Sequence, residues 1–247
     1  MKINIQNPIS NGWYADPEAR YYNGKYYIYV THSLPYEEQT NQSCFVSSDL
    51  TNWELKENII DMSGFKYAEK AIWAPTVVEK EGKYYYIFAS NDIHPENPVG
   101  GLEIAVSNSP TGPFKALLGK PLINEFHFGA QPIDAHFFKD DNGEIYLLYG
   151  GWGHCVICKM ADDMKGFTPF DDGEIFKEIT PNDYVEGPCM FKRENKYYFF
   201  WSAGNWQNGT YRVNYATANS PLGPFENGTN ILDSGDGKLA NGPGITV

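Results

Sequence analysis

One pattern returns four times along the chain and restricts what it can fold into. A short apolar run leads to a tight polar turn, and a tyrosine- or phenylalanine-rich run follows. The first copy is WYADPEARYYNGKYYIYV (13–30), and the others are WAPTVVEKEGKYYYIFAS (73–90), IDAHFFKDDNGEIYLLYG (133–150) and EGPCMFKRENKYYFFWS (186–202). β-Branched and aromatic residues flanking an Asn-Gly or similar turn read as two antiparallel strands. With Gly24, Gly82, Gly143 and Asn195 as markers, the spacings are 82−24 = 58, 143−82 = 61 and 195−143 = 52 residues. A period near fifty signals stacked or radially arranged units.

Each copy runs on into a further strand and a polar corner: VSSDLTNWEL (46–55), VSNSPTGPFKA (106–116), KMADDMKGFTPF (159–170) and ATANSPLGPFEN (216–227). About four strands per unit is the make-up of a propeller blade. The expected fold is therefore all-β, a single five-bladed β-propeller domain over 1–247, with blades at about 13–60, 70–120, 131–180 and 184–232. LANGPGITV from Leu239 opens a partial fifth at 238–247, so that blade is expected to be incomplete. Residues 1–12 are expected to supply an edge or closing strand.

In such a ring the first strand of each blade lines the central channel, so matching positions of different blades converge on the axis. Eight or nine residues before the turn markers stand Asp16, Trp73-Ala74, Asp134 and Glu186. Three carboxylates distant in sequence are thus predicted to face one hollow. Asp16-Pro17 by itself reads as a turn, and only the shared register makes it a catalytic candidate. A lone glutamate at a packed axis is costly unless paired or protonated. Raised in pKa by a neighbouring aspartate, Glu186 would suit a general acid.

Trp73 offers an aromatic wall for the apolar face of a sugar, with a core tryptophan between blades as the other reading. Asp134 and His136 are two apart on a strand and so share a side. His136 either holds a water or hydroxyl there or is packed and hydrogen-bonded. Trp152, in YGGWGH, follows glycines that permit close approach of a ligand or a neighbour. The loop NDIHPENPVGG (91–101) is long enough to overhang the channel mouth. Asp140-Asp141-Asn142-Gly143 lacks the later ligands of a calcium loop and reads as a hairpin turn.

The formal net charge of −12 excludes the basic face that nucleic acid requires; a neutral substrate is compatible with it. No segment approaches 18 consecutive apolar residues, and MKINIQNPIS holds no apolar run of signal-peptide length, so the chain as given is expected to be soluble, either cytoplasmic or secreted with its signal removed. Cys155 and Cys158 form a lone CxxC on an alternating strand, where their side chains point to opposite faces. Buried thiols, not a metal site, are expected.

The motifs YADP (14–17), IWAPTVV (72–78), QPIDAHFFKDDNG (131–143) and VEGPCMFKRENKYY (185–198), in that order over nearly the whole chain, resemble glycoside hydrolase family 43. The resemblance implies a five-bladed propeller that hydrolyses α-L-arabinofuranosides, β-D-xylosides or arabinan with inversion at the anomeric carbon. It implies Asp16 as general base, Glu186 as general acid and Asp134 as the residue that tunes and orients the acid. It requires no cofactor for the chemistry and leaves room for a structural calcium in the channel. Family members continue past the GPG motif to a histidine, whereas Gly242-Pro243-Gly244 is followed here by Ile245-Thr246-Val247. Two alternatives stand beside this reading. A non-catalytic carbohydrate-binding propeller, or an inactive truncated homologue, would bind sugar without turnover. A retaining fructan-type enzyme would show Asn-Asp-Pro-Asn and Glu-Cys where this chain has Ala15-Asp16-Pro17-Glu18 and Glu186-Gly187.

Overall fold

The tyrosine-rich repeats form paired strands because each two-residue turn places a left-handed residue beside a glycine or a second left-handed residue. Asn23 and Gly24, Glu81 and Gly82, and Glu194 and Asn195 all have positive φ, as the tight hairpin turns of twisted strands demand. A computed structural model describes residues 8–233. The expected closing strand at 1–12 and the partial blade at 238–247 lie largely or wholly outside the described residues.

Among the described residues four sheets follow in chain order, antiparallel except where one short strand joins the second. The first holds β1 (Tyr14–Tyr22), β2 (Lys25–His32), β3 (Gln42–Ser47) and β4 (Glu54–Lys56). The second holds β6 (Trp73–Lys80), β7 (Lys83–Ser90), β8 (Gly101–Ser107) and β9 (Phe114–Ala116), with the short β5 (Ile60–Asp61) added in parallel on β9. The third holds β10 (His136–Lys139), β11 (Ile145–Tyr149), β12 (Val156–Met160) and β13 (Phe167–Thr168), and β14 (Phe176–Glu178) also pairs with β12. The fourth holds β15 (Glu186–Arg193), β16 (Lys196–Ala203), β17 (Arg212–Ala218) and β18 (Glu226–Asp233).

These are propeller blades. β1 packs against β6, β6 against β10 and β10 against β15, so the first strand of every blade is innermost. Apolar faces bury blade on blade: Tyr27, Tyr29 and Cys44 against Tyr84, Tyr86 and Phe88, and Leu148 and Ile157 against Met190, Phe199 and Trp201. Side chains alternate across a strand, so Cys158 and Cys155 lie in the cores on opposite faces of the third blade. The Asp140 turn clamps the third blade to the fourth: its carboxylate accepts from Lys192 Nζ at 2.8 Å and from the Tyr197 hydroxyl at 2.6 Å. Among the described residues no helix is long and apolar enough to cross a membrane.

Candidate active site

Each inner strand is entered through a residue in the left-handed region. These are Asp16 (φ 50°), Ala74 (φ 46°), Asp134 (φ 52°) and Gly187 (φ 65°). An L-residue at such φ costs about 1 kcal/mol or more and persists only where its surroundings over-determine it. In the first, second and fourth blades the pairing register breaks here, between Ala15 and Glu18, Trp73 and Thr76, and Glu186 and Cys189. The kink turns the chain out of the sheet and into the channel.

This register corrects the alignment of the acids. Asp16, Ala74, Asp134 and Gly187 are the equivalent positions, and Glu186 stands one residue earlier, level with Ala15, Trp73 and Ile133. Counting eight or nine residues to the turn concealed that step, because the third-blade hairpin is longer. The acids therefore occupy two levels, the aspartates inside the kink and Glu186 at the rim with Trp73.

The three carboxyls nevertheless form one group. Asp16 is 4% exposed and is pushed up to about 7 by burial and by the charge of Glu186, against hydrogen bonds from Thr31 and the Ala74 amide. Asp134 is driven well above the usual carboxylate range by burial, then by Glu186 and Asp16. Burial raises Glu186 too, opposed by the Tyr211 hydroxyl, which donates to its Oε1 at 2.8 Å. Asp16 Oδ1 and Asp134 Oδ2 have no protein partner. Both residues line a cavity of about 20 Å³ with Ala74, Pro75, Ala135, Gly187 and Pro188, which is room for about one water. A groove of about 940 Å³ beside Trp201 and Arg212 at the edge of the fourth blade is lined by none of the three acids.

Of the proposed sugar contacts, Trp73 is half-buried at the rim. Its indole N–H donates to Gln39 Oε1 and its ring meets Tyr36 edge-on at 5.9 Å. Trp152 is 45% exposed in a left-handed conformation (φ 57°), stacked on Phe126 at 5.3 Å with His94 5.1 Å away. The backbone around it folds closely because a Cβ on Gly150 would meet the His154 carbonyl oxygen at 2.1 Å.

His136 is not an open sugar contact. It is 1% exposed, its Nε2 donates to the Met190 carbonyl at 3.0 Å and its Nδ1 faces Glu18 Oε2 at 3.5 Å. Alternation placed it on the correct side of the strand but not at the correct depth. Sequence reasoning missed Glu18, which is wholly buried beneath the acids beside Arg20, and the signal was the same alternation read from Asp16 through Glu18 to Arg20. For a channel calcium, Glu18 Oε2 and His136 Nδ1 are nearby buried atoms without a hydrogen-bond partner, and the Arg20 guanidinium beside Glu18 already supplies positive charge. Among the described residues no group of three or more His, Cys, Asp or Glu is arranged to hold a metal.

Several proteins of known activity resemble this chain. The chain is 40% identical over 233 residues to a β-D-galactofuranosidase of Aspergillus niger, covering 89% of this chain and 65% of the relative, so it spans about two thirds of that protein. It is 28% identical to a β-xylosidase of Xylanibacter ruminicola, covering 85% of this chain and 77% of the relative. The structure of an α-L-arabinofuranosidase from Clostridium thermocellum superposes with a TM-score of 0.75 at 26% identity, over 94% of this chain and 76% of that one. The family model of glycosyl hydrolases family 43 matches residues 5–243, which shows that the chain belongs to this family.

Proposed function

We propose that the protein is an inverting glycoside hydrolase that acts on α-L-arabinofuranosidic or β-D-xylosidic linkages of plant polysaccharides or their fragments. Asp16 is the general base, Glu186 the general acid and Asp134 the residue that tunes and orients the acid. The observation that carries this is the convergence of three mutually interacting carboxyls from separate blades, all raised in pKa, two of which, Asp16 and Asp134, line a cavity of one-water size. An inverting site needs one carboxyl that holds its proton for the leaving oxygen and another that takes a proton from water. Glu186, at the rim with Trp73, is placed to meet a glycosidic oxygen arriving from the mouth. Asp16 lies deeper, with an unpartnered oxygen on the water-sized space.

The same reading carries a fifth blade. The face of the fourth blade turned away from the third bears the stacked rings of Phe191, Tyr198, Phe200 and Tyr215, an aromatic surface like those buried between the other blades.

The test is release of 4-nitrophenol from the α-L-arabinofuranoside, the β-D-xyloside and, because of the 40% identical relative, the β-D-galactofuranoside. At least one should be hydrolysed, with proton NMR showing the inverted anomer first. Asp16→Asn and Glu186→Gln should each lower kcat by roughly 10²- to 10⁴-fold. Parent-like turnover in both variants, or first appearance of the retained anomer, would overturn the assignment.

A further inference from the structure

Two residues below the left-handed entry positions lies a second set of equivalents: Glu18, Thr76, His136 and Cys189. The first three form a buried polar layer across the channel. Thr76 Oγ1 donates to Glu18 Oε1 at 2.9 Å and accepts the Phe137 amide N–H at 2.9 Å. The Arg20 guanidinium pairs with Glu18 and donates from Nη2 to the Phe137 carbonyl at 2.9 Å. His136 donates from Nε2 to the Met190 carbonyl at 3.0 Å, and its Nδ1 approaches Glu18 Oε2 to 3.5 Å without a hydrogen bond. Four inner strands, β1, β6, β10 and β15, are joined through this layer, including the first and third blades, which are not sequential neighbours.

The position of the layer gives it a second consequence. Asp16 lies inside the register break of β1, where regular pairing with β2 resumes at Glu18. Asp134 precedes β10 altogether, and pairing there begins at His136. The sheets therefore fix Glu18 and His136 but not the two aspartates above them, and Glu18 and His136 are the residues joined across the channel. We propose that Glu18, Thr76 and His136 act as positioning residues: by tying the first sheet-anchored residue beneath Asp16 to the one beneath Asp134, they set the separation and aim of the two carboxyls. None of them touches substrate. Catalysis depends on the clamp because a displacement of about 1 Å at reacting groups costs about 10²-fold in rate.

This inference rests on the glycosidase reading, and Thr76 tests it with least disturbance because its uncharged hydroxyl joins Glu18 to the Phe137 amide and can be removed without touching the Arg20 pair. Thr76→Val keeps the shape and removes the bridge, whereas Thr76→Ser restores it. On the aryl glycoside that the parent hydrolyses fastest, Thr76→Val should lose about 10- to 100-fold in kcat with KM within about 3-fold. Thr76→Ser should stay within about 3-fold of the parent in both. If Thr76→Val does not fold, Thr76→Cys, which differs from the serine variant only in sulfur for oxygen, takes its place.

Parent-like kcat in folded Thr76→Val, whatever its melting temperature, would overturn the proposal. So would equal losses in the valine and serine variants, since packing rather than the hydroxyl would then be responsible. If the parent hydrolyses no glycoside, the glycosidase reading fails by itself, and carboxyl ¹³C NMR titration decides the clamp. An Asp16 midpoint displaced in Thr76→Val and returned in Thr76→Ser supports it, and an unmoved midpoint in Thr76→Val overturns it.

Discussion

Asp16 and Asp134 share the channel with Glu18 just beneath them, and the two levels are driven in opposite directions. Asp16, 4% exposed, and Asp134 are raised, while Glu18, 0% exposed, is lowered. Burial pushes all three up. At Glu18 the Arg20 charge, His136 and the Thr76 hydroxyl outweigh it, whereas no lysine or arginine is among the groups that act on Asp16 or Asp134. Burial thus sets the size of the problem, and the placement of counter-charge decides its sign. The lower layer is a solved ionic structure that holds shape. The upper layer is left unsolved, which keeps carboxyls poised to exchange protons near neutral pH.

The largest expected effect comes from breaking the solved layer. Glu18→Ala leaves the Arg20 guanidinium without its partner and should destabilise the fold by about 3–5 kcal/mol, as removal of one member of a buried pair does. Urea unfolding at pH 7 measures it. Because the folded pKa of Glu18 is depressed, its contribution is present above the unfolded carboxylate value and is lost as pH falls through the folded one. The deficit of the variant should therefore shrink in acid. A loss below about 1 kcal/mol would mean that the pair contributes little net stability.

The upper layer should behave in the opposite sense. The folded pKa of Asp16 is raised from 3.8 to about 7. Its favourable contribution is complete below the unfolded value and is lost as pH rises through the folded one. The parent should therefore weaken between pH 4 and pH 8, and Asp16→Asn should remove part of that slope and gain about 2 kcal/mol at pH 8 while losing activity. Melting temperatures of both proteins across that range decide it. Parallel curves would show that Asp16 is not the strained group.

The contrast also marks what the sequence could convey. A repeat of about fifty residues made the blades legible, because turn chemistry and alternating aromatic runs are local signals. Asp16, Asp134 and Glu186 were found because radial symmetry carries separate inner strands to one axis. The one-residue offset of Glu186 was not legible, since it depends on kinks set by left-handed backbone at Asp16, Ala74, Asp134 and Gly187. Alternation gives the side of a strand but not the height in the channel, so it left His136 open between a substrate contact and a packed, hydrogen-bonded side chain. The bond from Thr76 to Glu18 spans 58 residues and joins a hydroxyl to a carboxylate that no local pattern pairs.

The smallest expected effect concerns the neutral donor at Glu186. Tyr211 stands just ahead of β17 and donates to Glu186 Oε1 at 2.8 Å, which favours the ionised form and holds the glutamate below where burial alone would put it. Tyr211→Phe should therefore raise the Glu186 pKa, since a hydrogen bond to the charged form, worth about 1 kcal/mol, is lost. A general acid works while protonated, so the alkaline limb of the pH profile of kcat/KM should move to higher pH and the acid limb, set by Asp16, should stay in place. Measured on the best aryl glycoside, a shift of the alkaline limb alone assigns it to Glu186. Movement of the acid limb instead would exchange the roles of the two carboxyls and break the division between a deep base and a rim acid.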